Sequence, residues 1–248
     1  MQVQATPRKF RLVKTLSTFG LTESAVNEQL SEFKHIFREI GLGIRVSFPI
    51  IHLELYTRSQ SDHQLPEHLI DATRWLADRL GDQLFSEEGK SMEEVVGSLL
   101  RNCNATLALA ESCTGGLISN LITNLAGSSD YFLLSAVTYS NTAKVNVLDV
   151  SASTLEQFGA VDIATAKEMA RNVRKIAGAT YGLSTSGIAG PSGGTKDKPV
   201  GTVCIGVATP NSVVGHRFHY ADNNRSRNKR IFAITALDLM RRELSGIR

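Results

Sequence analysis

The stretch that most constrains this chain is residues 106–125, TLALAESCTGGLISNLITNL. It reads as a short buried strand at 106–110, an abrupt polar turn at 111–116, and a helix whose apolar face begins at Leu117. A strand that empties into a helix through hydroxyl and glycine residues commits its neighbourhood to an α/β layout. It also leaves unpaired N–H groups and the positive end of a helix beside the turn, the makings of an anion or oxyanion site. Gly115 and Gly116 admit a ligand close to the backbone, and Ser112 stands where its hydroxyl can face one. A plainer reading stays open, in which Ser112 or Thr114 is only the N-cap of the helix.

Periodicity elsewhere extends the layout. Thr22 caps a helix in which Val26, Leu30, Phe33, Phe37 and Ile40 form one stripe, with Gly41 in the place of a left-handed C-cap. Strands follow at 44–48 and 51–56, and Pro66 opens a helix that stops at Gly81. Residues 8–83 therefore make a small α+β domain, with 83–90 as linker. No GXXG loop occurs in this segment, so the backbone clamp of a KH domain is missing and nucleic-acid binding is not expected.

The second domain, 91–248, opens on Ser91 and Glu94 as a capping box. Strands at 131–139, 181–185, 200–208 and 213–218 alternate with helices near 140, from Asp162 through Ile176, and from Arg225 to Leu244. This is an α/β pattern with a sheet covered by helices on both faces and a site at its strand ends.

Composition excludes several function classes. A formal charge of +3 is too small to argue for nucleic acid or an anionic membrane. The three cysteines are scattered without CxxC spacing, so neither a disulfide framework nor a metal site is expected. His216 and His219, three apart on a strand, lie on opposite faces and cannot chelate one metal. No run approaches a membrane span and the N-terminus has no apolar signal region, so the protein reads as cytoplasmic.

Three junctions hold the unusual chemistry: 112–116, 139–144 and 186–194. No histidine lies beside any of them, so a Ser-His-Asp arrangement is not expected. The available base is Lys144, one turn into the helix after Tyr139. Burial would lower its pKa enough for it to take a proton from Ser112; otherwise it is a solvated helix lysine. Tyr139 is a proton relay, a ring against substrate, or a strand tyrosine with a wet hydroxyl. Cys113 rivals Ser112 as nucleophile but needs a positive partner, and a buried inert cysteine is the commoner case. The glycines at 187, 190, 193 and 194 suit a loop that presents N–H groups to a phosphate, with a plain surface loop as the competing reading. Arg225, Arg227, Lys229 and Arg230 oppose the dipole at the start of the last helix, which an anion would offset; solvated charge is the usual explanation of such a run.

The segments AESCTGG at 110–116, VTYSNTAK at 137–144, SGIAGPSGG at 186–194 and KPVGTV at 198–203 resemble, in order, the signatures of the CinA C-terminal domain family, whose typical activity is nicotinamide-nucleotide amidase. The preceding 80 or so residues resemble the small KH-like middle domain of full-length CinA proteins. The resemblance implies a serine amidase that hydrolyses the carboxamide of nicotinamide mononucleotide, without cofactor or metal, in a homodimer. It assigns Ser112 as nucleophile, Lys144 as base and Tyr139 and Ser186 as hydrogen-bonding helpers. Amides of Thr114, Gly115 and Gly116 would form the oxyanion hole, with phosphate at Gly187, Gly190, Gly193 and Arg225. Where the family often has Arg-x-x-x-Arg, this chain has Arg225 and Lys229, and Asp162 stands where a serine cap is usual. The alternative is an inactive binding or regulatory module linked to competence or DNA repair.

Overall fold

The computed structural model describes residues 10–59 and 66–247; residues 8, 9 and 60–65 of the expected first domain and residue 248 of the expected second lie outside them. The chain divides into two units between Ser91 and Met92.

In the first unit, β1 (Phe10–Thr18), β2 (Gly41–Ser47), β3 (Ile50–Ser59) and β4 (Leu84–Ser86) form an antiparallel sheet in the order β2-β3-β1-β4. The helices α1 (Glu23–Gln29), α2 (Phe33–Ile36) and α3 (Glu67–Leu80) contribute Val26, Phe33, Leu69 and Leu76 to a core completed by Leu16, Leu53 and Leu55. The stripe from Val26 to Ile40 marks buried or half-buried residues throughout, but it is not one helix. The chain turns between α1 and α2, and Phe33 and Phe37 pack their rings 5.1 Å apart against the edge of Trp75. Packing against a neighbouring element overrides the local period here. Gly41 is not a helix cap but the first residue of β2. It faces Tyr56 across the sheet, and a Cβ at this position would overlap the tyrosine ring. The expected linker also contains β4, which buries Phe85 and pairs with the end of β1.

The second unit contains α4 (Met92–Asn102), β5 (Leu107–Glu111), α5 (Leu117–Thr123), β6 (Phe132–Val137), α6 (Asn141–Leu148), α7 (Ala152–Phe158), α8 (Ile163–Ala177), β7 (Tyr181–Gly187), β8 (Thr202–Ala208), β9 (Val213–His219) and α9 (Arg225–Ser245). Its five strands run β6-β5-β7-β8-β9. The first three are parallel, and the last two are antiparallel to their neighbours. One face is crossed by α8, with α6 and α7 beside it; the other is covered by α9 with α4 and α5.

Each layer follows from local chemistry. Asp162 caps α8 by accepting from the Ala164 N–H, and Ala166, Met169, Ala170 and Val173 turn inward. Ile176, expected inward too, lies in the last turn of the helix and is exposed. The sequence reading gave no helix at α7, and it extended β6 to Tyr139, two residues beyond its end at Val137. Helix α8 lies close on the sheet because Gly182 and Gly206 have no side chain: a Cβ at either would overlap the carbonyl of Ala170 or Ala166. The parallel arrangement then brings the carboxyl ends of β5, β6 and β7 to one edge, where three chain segments leave the sheet together. Among the described residues no helix is long and apolar enough to cross a membrane. No group of three His, Cys, Asp or Glu among them is placed to hold a metal ion.

Gly182→Ala is expected to destabilise the second unit by about 1–3 kcal/mol, since helix backbone has to move to admit one methyl. Urea denaturation of the two proteins measures it, and an unchanged midpoint would contradict the close approach of α8.

Candidate active site

Ser112 is held at the sheet edge by an extension of the parallel ladder. Its N–H donates to the Thr185 carbonyl at 3.0 Å, while the Thr138 N–H donates to the Glu111 carbonyl at 2.9 Å. The chain then reverses through Gly115 and Gly116 at φ of +61° and +87°, consecutive left-handed conformations that side-chain-bearing residues resist. The next helix is not capped by Ser112 or Thr114. Its cap position is Gly116, and its first amides converge on the carboxylate of Glu111. That carboxylate accepts from the N–H groups of Gly116 (2.9 Å), Ile118 (3.2 Å) and Ser119 (2.9 Å) and from the Ser119 hydroxyl (2.5 Å). Glu111 has no solvent exposure, so the helix end supplies both its hydrogen bonds and its compensating field. The anion at this helix terminus is therefore the protein's own.

This arrangement alters the expected oxyanion hole. The Gly116 N–H is taken by Glu111, and the Gly115 N–H donates to the Ser112 carbonyl at 3.1 Å. The Thr114 hydroxyl bonds that of Thr185 at 2.7 Å. None of the three residues lines the cavity beside Ser112.

Lys144 comes from α6, whose cap Ser140 accepts from the Ala143 N–H at 3.0 Å. One turn in, the side chain runs back under the sheet edge with 1% of its surface exposed. Nζ lies 3.1 Å from Ser112 Oγ and donates to the Thr138 carbonyl at 2.9 Å. Lys144 is thus not a solvated helix lysine. Desolvation lowers its pKa from the usual lysine value, and the neighbouring Cys113 only partly opposes that. Such an amine, once neutral, can accept the Ser112 proton while its own hydrogen stays on Thr138. Cys113 lies beside the same cavity, but burial pushes its thiol up to about 12, so it is protonated and a poor nucleophile at neutral pH.

The cavity above these groups measures about 250 Å³. Ser112, Tyr139, Lys144 and Ser186 line it, together with Gly187, Gly190, Gly193 and Arg225, so the three junctions do converge. Arg225 ties the mouth together, donating to the Gly190 carbonyl and to the Tyr139 hydroxyl, both at 2.8 Å. Tyr139 is 62% exposed and stands at the rim. The Ser186 hydroxyl donates to the Ala160 carbonyl at 2.7 Å, leaving it only acceptor capacity toward the cavity. Glu111 and Asn228, both fully buried, were not singled out in the sequence, although the former stands inside the turn motif.

The sequence model described as CinA C-terminal domain matches residues 89–244. The chain belongs to the CinA C-terminal domain family. A CinA-like protein of Desulfosudis oleivorans is 50% identical over 242 residues, which cover 98% of this chain and 59% of that one. A CinA-like protein of Geobacter metallireducens is 40% identical, over 93% of this chain and 55% of its own. This CinA chain thus spans little more than half the length of those relatives. Among solved structures, the competence/damage inducible protein CihA of Agrobacterium tumefaciens aligns with a TM-score of 0.60 at 35% identity, covering 62% of this chain and 93% of that one. A CinA superfamily protein of Enterobacter cloacae aligns with a TM-score of 0.59 at 30% identity, over 62% and 90% of the two chains. These likenesses agree with a mixed α/β CinA fold whose sheet is flanked by helices.

Removing the Glu111 carboxylate from this CinA domain leaves buried amides without an acceptor. Glu111→Ala is expected to lose at least about 2 kcal/mol of stability. A urea midpoint equal to that of the wild type would show that the cap contributes nothing.

Proposed function

We propose that residues 92–248 form a serine amidase with a lysine base, acting on the carboxamide of nicotinamide mononucleotide. The observation that carries this reading is the contact between Lys144 Nζ and Ser112 Oγ, 3.1 Å apart beside the cavity, with Lys144 almost wholly buried. A buried amine touching a serine hydroxyl has a clear chemical use and little structural one.

In the first step Oγ of Ser112 bonds to the carboxamide carbon, its proton passes to neutral Lys144 Nζ, and the carbonyl electron pair moves onto oxygen. When that adduct collapses, the C–N bond breaks and Lys144 returns the proton to the leaving nitrogen, releasing ammonia. Water then attacks the acyl carbon, Lys144 again takes and returns the proton, and nicotinate mononucleotide leaves with Ser112 restored. The nucleotide phosphate is assigned to the rim, where Arg225 and the glycine loop lie; Tyr139 flanks the pyridine.

The reading has a cost in stability with a definite sign. Where the folded pKa of a lysine is depressed, the unfolded chain binds the proton more tightly, so the folded state is penalised at every pH below that value. Stability is regained as pH rises from the folded pKa toward the ordinary 10.5. Lys144→Met, which keeps volume and removes the amine, is therefore expected to match or exceed wild-type stability at pH 7. It should also release no ammonia from nicotinamide mononucleotide above background. Ser112→Ala should be equally inactive, while wild-type kcat/KM should rise with pH and level off below 10.5, as the free base accumulates. An inactive wild type, or full rate in either variant, would refute the amidase assignment.

A further inference from the structure

The amides of Gly115 and Gly116 are consumed inside the α5 turn, which leaves those of Cys113 and Thr114 and those of the loop after β7 as candidate donors for the developing oxyanion. The loop after β7 lines the cavity. Its carbonyls are bound from outside: that of Ile188 accepts from the Gly201 N–H at 2.8 Å, and that of Ala189 accepts from Asn228 Nδ2 at 3.0 Å. In a trans peptide the N–H points opposite to the carbonyl. Fixing the carbonyl of residue 188 therefore aims the N–H of Ala189 away from β8, and fixing that of 189 aims the N–H of Gly190 away from α9. Ala189 and Gly190 are buried, both line the cavity, and among the described residues neither N–H has an acceptor. Gly190 is further locked at φ +82°, where any Cβ would run into Val200.

Asn228 is unusual for a site in a helix rich in cations. It is fully buried, and Nδ2 donates to two carbonyls, Ala189 and Asp222, at 3.0 and 2.6 Å. It thereby fastens the loop to the start of α9.

We propose that the N–H groups of Ala189 and Gly190, rather than those of the α5 turn, bind the oxyanion formed on Ser112, and that Asn228 is the positioning residue that aims the Gly190 N–H. This rests on the serine acyl-transfer reading above, but not on the identity of the amide hydrolysed. The donors act on charge that exists only in the adduct, so their loss should lower kcat and leave KM nearly unchanged.

A fluorophosphonate provides a test independent of nicotinamide recognition. Ser112 Oγ displaces fluoride, forming an O–P bond and releasing HF, and the phosphoryl oxygen occupies the oxyanion position. In amide NMR spectra of the full chain, labelling should shift the Ala189 and Gly190 protons downfield and leave those of Gly115 and Gly116 in place. Asn228→Asp, which removes the donor at nearly constant shape, should label Ser112 about 10–100-fold more slowly, part of the 10²–10³ an oxyanion donor supplies. Its affinity for the product, nicotinate mononucleotide, should stay within twofold. Should the Thr114, Gly115 or Gly116 protons move instead, or should labelling rate and product affinity fall together in Asn228→Asp, the assignment is overturned. The wild-type spectra decide the donor question even if that variant does not fold. Failure of wild-type Ser112 to label at all would refute the acyl-transfer reading itself.

Discussion

The site depends on a carboxylate that water does not reach. Glu111 ends β5 and gathers the first amides of α5, so the strand, the two-glycine turn and the helix become one hydrogen-bonded unit. The turn is tight because the helix must curl back over the strand end to bring its amides to the carboxylate. Ser112 is the residue left at the crest of that turn. Its backbone is tied to β7 through Thr185, and the next strand, β6, is tied to Glu111 through Thr138. The same Thr138 then offers its carbonyl to Lys144. Ser112 and Lys144 are thus positioned by neighbouring links of one chain of backbone bonds.

The use of the helix terminus separates this architecture from the anion sites that similar strand-turn-helix junctions provide. Here the first amides of α5 are met by Glu111, and the cavity is lined by the loop after β7 and by Arg225 of α9. Arg225 and Asn228, three residues apart at the start of that helix, hold successive carbonyls of the loop, Gly190 and Ala189. The cations that oppose the α9 dipole include one with a structural task. Arg225 binds loop and Tyr139 at once, so one side chain bridges two segments of the cavity rim.

Much of this was legible in the sequence, for reasons that can be named. Alternation of strands and helices implies a shared carboxyl edge, so the convergence of Ser112, Lys144 and the glycine loop could be read before any distance was known. Cap residues Thr22, Ser140 and Asp162 act through local hydrogen bonds, and local chemistry is what a linear reading sees best. The failures are tertiary. Glu111 reads as a polar turn residue until the helix is known to fold back on it, and that fold-back also removes Gly115 and Gly116 from the site. Asn228 sits in a basic run that suggests solvent, yet the loop it binds, nearly 40 positions earlier in the chain, buries it completely. The stripe from Val26 to Ile40 reports burial faithfully, but the Trp75 contact rather than the helical period sets the path of the backbone. The short strand β4 is invisible because its three residues carry no period of their own and owe their shape to β1.

Whether an uncharged amine stands against Ser112 can be read from the Lys144 side chain itself. Following its ε-carbon resonance by NMR across pH in the intact protein should show the lysine losing its proton below the ordinary 10.5, consistent with an amine pressed into a dry site. A titration at or above 10.5 would mean that Lys144 is an ammonium wherever the protein works, and the account of Ser112 as a base-activated nucleophile would not stand.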